Sequence, residues 1–107
     1  MDSSNKLPVA EIIGHDLDAD LEQVCRLCGL DSEQLLDWVQ EGIAEPRGRE
    51  ARHWQFSARQ VRRVWVARRL SRDLELDPRA LPVVLDLIEE VEGLRRRVRL
   101  LERVIED

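Results

Sequence analysis

Aromatic residues are scarce in this chain of 107, which has three Trp, one Phe and no Tyr. With so few large rings, Trp38, Trp54 and Trp65 are each expected to anchor a core or an interface. Cysteine is limited to Cys25 and Cys28, and the two histidines, His15 and His53, do not stand at zinc-finger spacing. That leaves Cys25-x-x-Cys28 as structural thiols facing a core rather than a metal or redox site. No apolar run approaches the roughly 20 residues needed to span a bilayer. The opening MDSSNKLPVA lacks the basic and long apolar regions of a signal peptide. The expected location is the cytoplasm, where a structural disulfide would be out of place. There is no glycine-rich phosphate loop, and His15 and His53 have no Ser, Cys or carboxylate arrangement that makes a catalytic set. The expectation is a protein with no enzymatic activity, no cofactor and no metal.

Lysine is nearly missing too, because all but one of the 17 basic residues are Arg. The net charge of −5 conceals a division. Residues 1–45 carry 11 acids and 2 bases, net −9, whereas residues 46–107 carry 11 acids and 15 bases, net +4. At 43% hydrophobic and 36% charged, the chain has the makings of one small-cored domain with an appended segment.

The informative stretch is DSEQLLDWVQEGIAEPRGREARHWQFS, residues 31–57. Asp31 is placed to cap a helix, with Gln34 three residues on completing a reciprocal capping box. Leu35, Leu36 and Val39 give an apolar stripe at helical spacing. Gly42 follows the last periodic residue, where a left-handed exit suits glycine. Pro46 and Gly48 mark an arginine-rich loop, and Trp54 and Phe56 alternate with polar neighbours as a short strand would. Ser57-x-x-Gln60 is a second capping box. Helix, hairpin-like loop and helix is the layout of a winged helix-turn-helix.

The flanks support that frame. Residues 1–6 are polar, and Leu7 to Ile13 fit either a short strand or a docked arm. Asp18 is the expected N-cap of a helix over roughly 19–28, with Leu21, Val24 or Cys25, and Cys28 turned inward, ending at Gly29. From Ser57, the positions Val61, Val64, Ala67, Leu70 and Leu74 predict a long helix, with Arg59, Arg62, Arg63, Arg69 and Arg72 mainly on its other side. Asp77-Pro78 starts a further helix. Pro82 requires either that this helix begins a few residues later or that its first turn is bent.

The last stretch is the clearest periodic signal. Val84, Leu87, Val91, Leu94, Val98, Leu101 and Ile105 alternate three and four apart, with Val or Ile at heptad position a and Leu at every d. That composition favours a two-stranded coiled coil and hence a homodimer over a helix folded back on its own domain. Parallel strands would match Glu90 with Arg95 and Arg97 with Glu102, and antiparallel strands would match Glu90 with Arg97 twice. The expected organisation is an arm over 1–16, the winged helix-turn-helix over 17–76, and a dimerisation segment over 77–107.

Charge decides between partners. Arg47 to Arg72 holds nine Arg against Glu50 alone, either as phosphate contacts or as partners for the protein's own acids. A DNA-reading helix offers Arg, Lys, Asn or Gln to base edges. This one offers Asp31, Glu33, Asp37 and Glu41, with only Gln34 and Gln40 as neutral readers, so direct nucleic-acid binding is disfavoured. The acids Asp16, Asp18, Asp20, Glu22, Asp31, Glu33, Asp37, Glu41 and Glu45 point instead to a basic protein partner.

LCGLDSEQLLDWVQEGIAEP, WQFSARQVRRVWVARRLSRDLELD and the leucine-rich C-terminal helix together resemble the chaperone-modulator proteins of the MerR-like group. The resemblance covers Leu17 to Ile105 and rests on Gly29, Glu41-Gly42-Ile43, Glu45-Pro46, Trp54, Phe56 and the Leu-Glu-Leu-Asp of 74–77. It implies a mainly α protein with a MerR-like winged helix-turn-helix. It also implies an inhibitor that binds the J domain of a DnaJ-like, curved-DNA-binding co-chaperone and suppresses its stimulation of Hsp70 and its DNA binding. The expected contacts are Asp31, Glu33, Asp37, Glu41 and Glu45. Ordinary MerR-type regulators share the frame, but where they place Arg and Tyr on the reading helix this chain has Asp37-Trp38.

Overall fold

The computed structural model describes residues 18–106. The expectations for residues 1–16, including the arm, His15 and Asp16, lie outside them. Among the described residues four helices follow one another: α1 (Leu21–Cys28), α2 (Ser32–Gln40), α3 (Ala58–Leu74) and α4 (Leu81–Glu106), with a 3-10 turn at Ala51–His53 between α2 and α3. The mainly helical class expected from the periodicity is what forms.

The start of α1 differs from expectation. Its cap is Asp20, not Asp18: the Asp20 carboxylate accepts the Gln23 N–H at 2.9 Å, and the Gln23 side chain accepts the Asp20 N–H at 2.9 Å. Asp18 is drawn elsewhere. Ala19 pairs with Phe56 in an antiparallel bridge, N to O distances 2.9 and 2.7 Å, which keeps this segment extended, and the Asp18 carboxylate takes Arg47. Val24 and Cys28 are buried, and α1 leaves through Gly29 at φ 71° into buried Leu30.

The Asp31 box forms on α2, with the Gln34 N–H 2.8 Å from the Asp31 carboxylate. Its exit is also as expected. Gly42 at φ 82° lets its own N–H reach the Val39 carbonyl at 3.1 Å and the Ile43 N–H reach Trp38 at 3.0 Å, satisfying two carbonyls at the helix end. The apolar stripe is different. Leu35 and Trp38 are buried, whereas Leu36 is exposed and Val39 half-buried. At 3.6 residues per turn, 35 and 38 share a face that 36 does not.

The wing is slighter than a strand pair. Arg47 and Gln55 exchange two hydrogen bonds of 3.0 Å, and together with Ala19–Phe56 they form two isolated bridges. Trp54 meets Phe56 edge to face at 6.1 Å. Ser57 caps α3 by accepting the Gln60 N–H at 3.3 Å, but the box is not reciprocal, because the Gln60 side-chain Oε1 accepts the Glu45 N–H at 2.8 Å. Val61, Val64 and Ala67 are buried as expected. Leu74, placed with them by periodicity, is 61% exposed because α3 has run past the core by its last residue. Arg63, assigned to the outer side, is buried.

Pro78 opens a turn and α4 begins at Leu81, the later of the two starts that Pro82 allowed. The first N–H bonded back into the helix is that of Val84, to Ala80 at 3.1 Å, so the missing N–H of Pro82 falls among donors that have no helical partner anyway. Leu81 and Leu85 are buried and complete a core built from all four helices.

Candidate functional site

Three of the expected partner contacts lie together. Glu33, Asp37 and Glu41 stand four residues apart along one side of α2, and all are exposed. Asp31 begins the same helix with its carboxylate occupied as the cap. Glu45 lies past the helix, exposed, its backbone N–H held by Gln60. Leu35 and Trp38 fix the helix from beneath, so this face is carried on a rigid element.

The earlier acids are used locally. Asp18 pairs with Arg47, Asp20 caps α1, and Glu22 meets Arg26 at 3.4 Å. Among the described residues, no ion pair involves Glu33, Asp37, Glu41 or Glu45. Three arginines of α3 turn to the acids of α4 instead. Arg59 reaches Glu89 at 2.8 Å, Arg62 forks onto Glu92 at 3.0 and 2.7 Å, and Arg63 contacts Asp86 at 3.0 Å and Glu89 at 3.1 Å. Three of the nine arginines from Arg47 to Arg72 are thus spent on holding α4, and the acidic face of α2 is left without ion pairs among the described residues. Sequence reasoning missed this use of Arg63. Its place between Val61 and Val64 was the only hint, and its partners are 20 or more residues away.

Cys28 is buried, and burial pushes its thiol up to about 12. Cys25 is raised too, first by burial and then by the negative charge of Asp31 and Glu22. Both thiols are held protonated, which suits packing rather than metal binding or nucleophilic attack. No group of three metal-ligating side chains comes together among the described residues, and no described helix is long and apolar enough to cross a membrane.

The α4 helix has two apolar faces. Leu81 and Leu85 point into the domain, with Ile88 half-buried beside them. On a second face, roughly 120° around the helix, Leu87, Val91, Leu94, Val98, Leu101 and Ile105 are all exposed, from 44% at Val91 to 82% at Ile105. Val84 is half-buried at the start of that row.

A family profile described as MerR HTH family regulatory protein matches residues 19–103, from the Ala19 bridge to the last turns of α4. The chain belongs to the MerR helix-turn-helix family. Within it, the chain is similar to chaperone modulatory protein CbpM of Coxiella burnetii (strain Dugway 5J108-111), 29% identical over 83 residues that span 78% of each chain. The CbpM of Pseudomonas entomophila (strain L48) is 30% identical over 84 residues, 78% of this chain and 83% of that one. That of Pseudomonas putida (strain W619) is 27% identical over 84 residues. The match places this MerR-type chain among the CbpM proteins, and neither name is that of an enzyme.

Proposed function

We propose that this chain is a chaperone modulator that binds the J domain of a DnaJ-like co-chaperone and inhibits its co-chaperone and DNA-binding activities. The observation that carries the reading is the side of α2 formed by Glu33, Asp37 and Glu41. It is exposed, rigidly backed, and free of ion pairs among the described residues. A basic helix is its natural complement, and occupying that helix is enough to inhibit by competition. Asp31 and Glu45 extend the face at either end. The names of the CbpM relatives support the same role.

Titration calorimetry of the full chain with an isolated J domain tests it. Asp37→Lys with Glu41→Lys should weaken binding by more than the 0.2–1 kcal/mol or so of one exposed pair, much of it through slower association. Arg49→Glu with Arg52→Glu, on the wing, should leave binding nearly intact. Arg62 and Arg63 do not serve as controls, because they hold α4. Normal binding by the acidic reversals, with loss in the wing variant, overturns the choice of face.

A MerR-like DNA-binding regulator is the second reading. It is favoured by exposed Arg49 and Arg52 in the wing and opposed by the carboxylates on the helix that would read bases. Under either reading we propose a homodimer paired through Val84, Leu87, Val91, Leu94, Val98, Leu101 and Ile105. The solvent-facing row on α4 supports it.

A further inference from the structure

Beyond the Arg63 cluster, α3 and α4 leave an open cleft of about 450 Å³ lined by Arg62, Glu92, Arg95, Arg96 and Arg99. Four guanidinium groups face one carboxylate, and that carboxylate is engaged: Glu92 receives both bonds of the Arg62 fork. Arg95, Arg96 and Arg99 form no ion pair among the described residues. On the helix surface, Arg95 and Arg99 are neighbours four apart and Arg96 and Arg99 three apart, so like charges repel at each step. A chain with a net charge of −5 has no general excess of base to explain this concentration. Gly93 contributes as well. An Arg96 guanidinium nitrogen lies 3.7 Å from where a Cβ at Gly93 would stand, so the side chain folds back along the helix beside the cleft.

We propose that this cleft binds a multiply charged phosphate group of the oligophosphate kind, whether inorganic or carried by a nucleotide. Guanidinium forks match phosphate oxygens with paired hydrogen bonds. Three guanidiniums around one cleft, unpaired among the described residues, call for several negative charges in a small volume, which a phosphoanhydride chain supplies and a single carboxylate does not. The Arg62–Glu92 fork holds one wall in place. Arg95 stands at the edge of the exposed apolar row, so Arg96 and Arg99 form the body of the site, beside the wall that the Arg62–Glu92 fork makes. The inference is independent of the J-domain reading, because the acidic face of α2 takes no part in it.

The test is calorimetric titration of the full chain with sodium tripolyphosphate, against sulfate at matched ionic strength. Saturable binding of tripolyphosphate with little heat from sulfate is expected. Arg96→Ala with Arg99→Ala should lower the affinity about tenfold or more, since two charge-assisted donors are lost. Arg97→Ala, adjacent in sequence but off the cleft, should change it less than about twofold if attraction is site-specific rather than diffuse. Circular dichroism confirms that the variants fold, which their exposed positions favour. ATP binding at the same residues supports the site and identifies a nucleotide source. Absence of saturable binding, equal loss in the Arg97 variant, or binding to duplex DNA without binding to tripolyphosphate overturns the proposal.

Discussion

The Arg63 guanidinium donates from Nε to the Ile43 carbonyl at 2.9 Å while another of its nitrogens reaches the Asp86 carboxylate at 3.0 Å. One buried side chain on α3 therefore ties the exit of α2 to α4. Ile43 is the residue whose N–H closes the end of α2, so the same few atoms set how the acidic helix sits relative to the C-terminal one. A buried charge left without partners is costly, but here the guanidinium is satisfied on both sides.

Arg63→Met should cost about 2–4 kcal/mol by urea unfolding, because Ile43 and Glu89 lose buried partners. A variant within error of the wild type would mean that the ties add nothing to stability.

The acid limb should show Glu89. Burial pushes its carboxyl up, but hydrogen bonds from Arg59 and Arg63 outweigh that and hold it below its ordinary value of 4.5. A lowered folded pKa contributes stability that is present above 4.5 and is lost as pH falls through the folded value. Melting temperature should therefore drop below that point, and Glu89→Gln should flatten part of the drop while lowering stability at neutral pH. An unchanged acid limb in the variant would remove Glu89 from the account. Asp77, lowered first by its side-chain hydrogen bond from Arg79, keeps its share of the limb in both proteins.

One substitution should have opposite signs at two glycines. Gly48 sits at φ 112°, and a Cβ there would lie 2.8 Å from the His53 carbonyl oxygen, so Gly48→Ala should destabilise the wing. The cost should be about 1–3 kcal/mol, as for other strained backbone positions. Gly93 is in mid-helix, and a Cβ there would meet only Arg96 at an ordinary 3.7 Å. Gly93→Ala should gain up to ~1 kcal/mol of helix propensity. Thermal melts of the two variants should move in opposite directions.

Local signals were legible in the sequence and long-range ones were not. The Asp31–Gln34 box, the exits at Gly29 and Gly42, and the row of apolar residues left on the outside of α4 follow from neighbours within a turn or two. Asp20 rather than Asp18 caps α1 because the Ala19–Phe56 bridge, spanning 37 positions, claims the segment before it. Gln60 abandons its box for the Glu45 N–H, and Arg63 goes inward for Ile43 and α4. Trp38 displaces Leu36 from the buried face. At the candidate site, the charge of α2 was legible in advance. That its acids stay open while three α3 arginines spend themselves on α4 needed the packing.

Nucleic-acid binding should be weak. With Arg59, Arg62 and Arg63 committed to α4, Arg47 to Asp18, Arg52 to Glu50, and Arg69 and Arg72 to Asp73, few cations of the winged helix remain for phosphates. Fluorescence anisotropy at about 0.15 M salt should show weak, non-specific duplex binding, with roughly −0.9 of log–log salt slope for each phosphate neutralised. A sequence-specific nanomolar footprint would promote the regulator reading.

The last expectation concerns assembly. On α4, Leu94 is 48% exposed at the centre of the outward row, and Leu100 is 59% exposed but off that row. Burying the row against its copy removes apolar surface from water at about 25 cal/mol per Å², and the Val/Ile-a, Leu-d composition suits two strands. The proposed dimer should be seen for the wild type in sedimentation at micromolar concentration, and Leu94→Glu, which would place two charges in the seam, should shift it to monomer. Leu100→Glu adds the same charge to the same helix and should leave the dimer intact. This control separates a specific seam from general stickiness of an apolar helix. A wild-type monomer, or equal loss in both variants, would show that the row does not pair with itself.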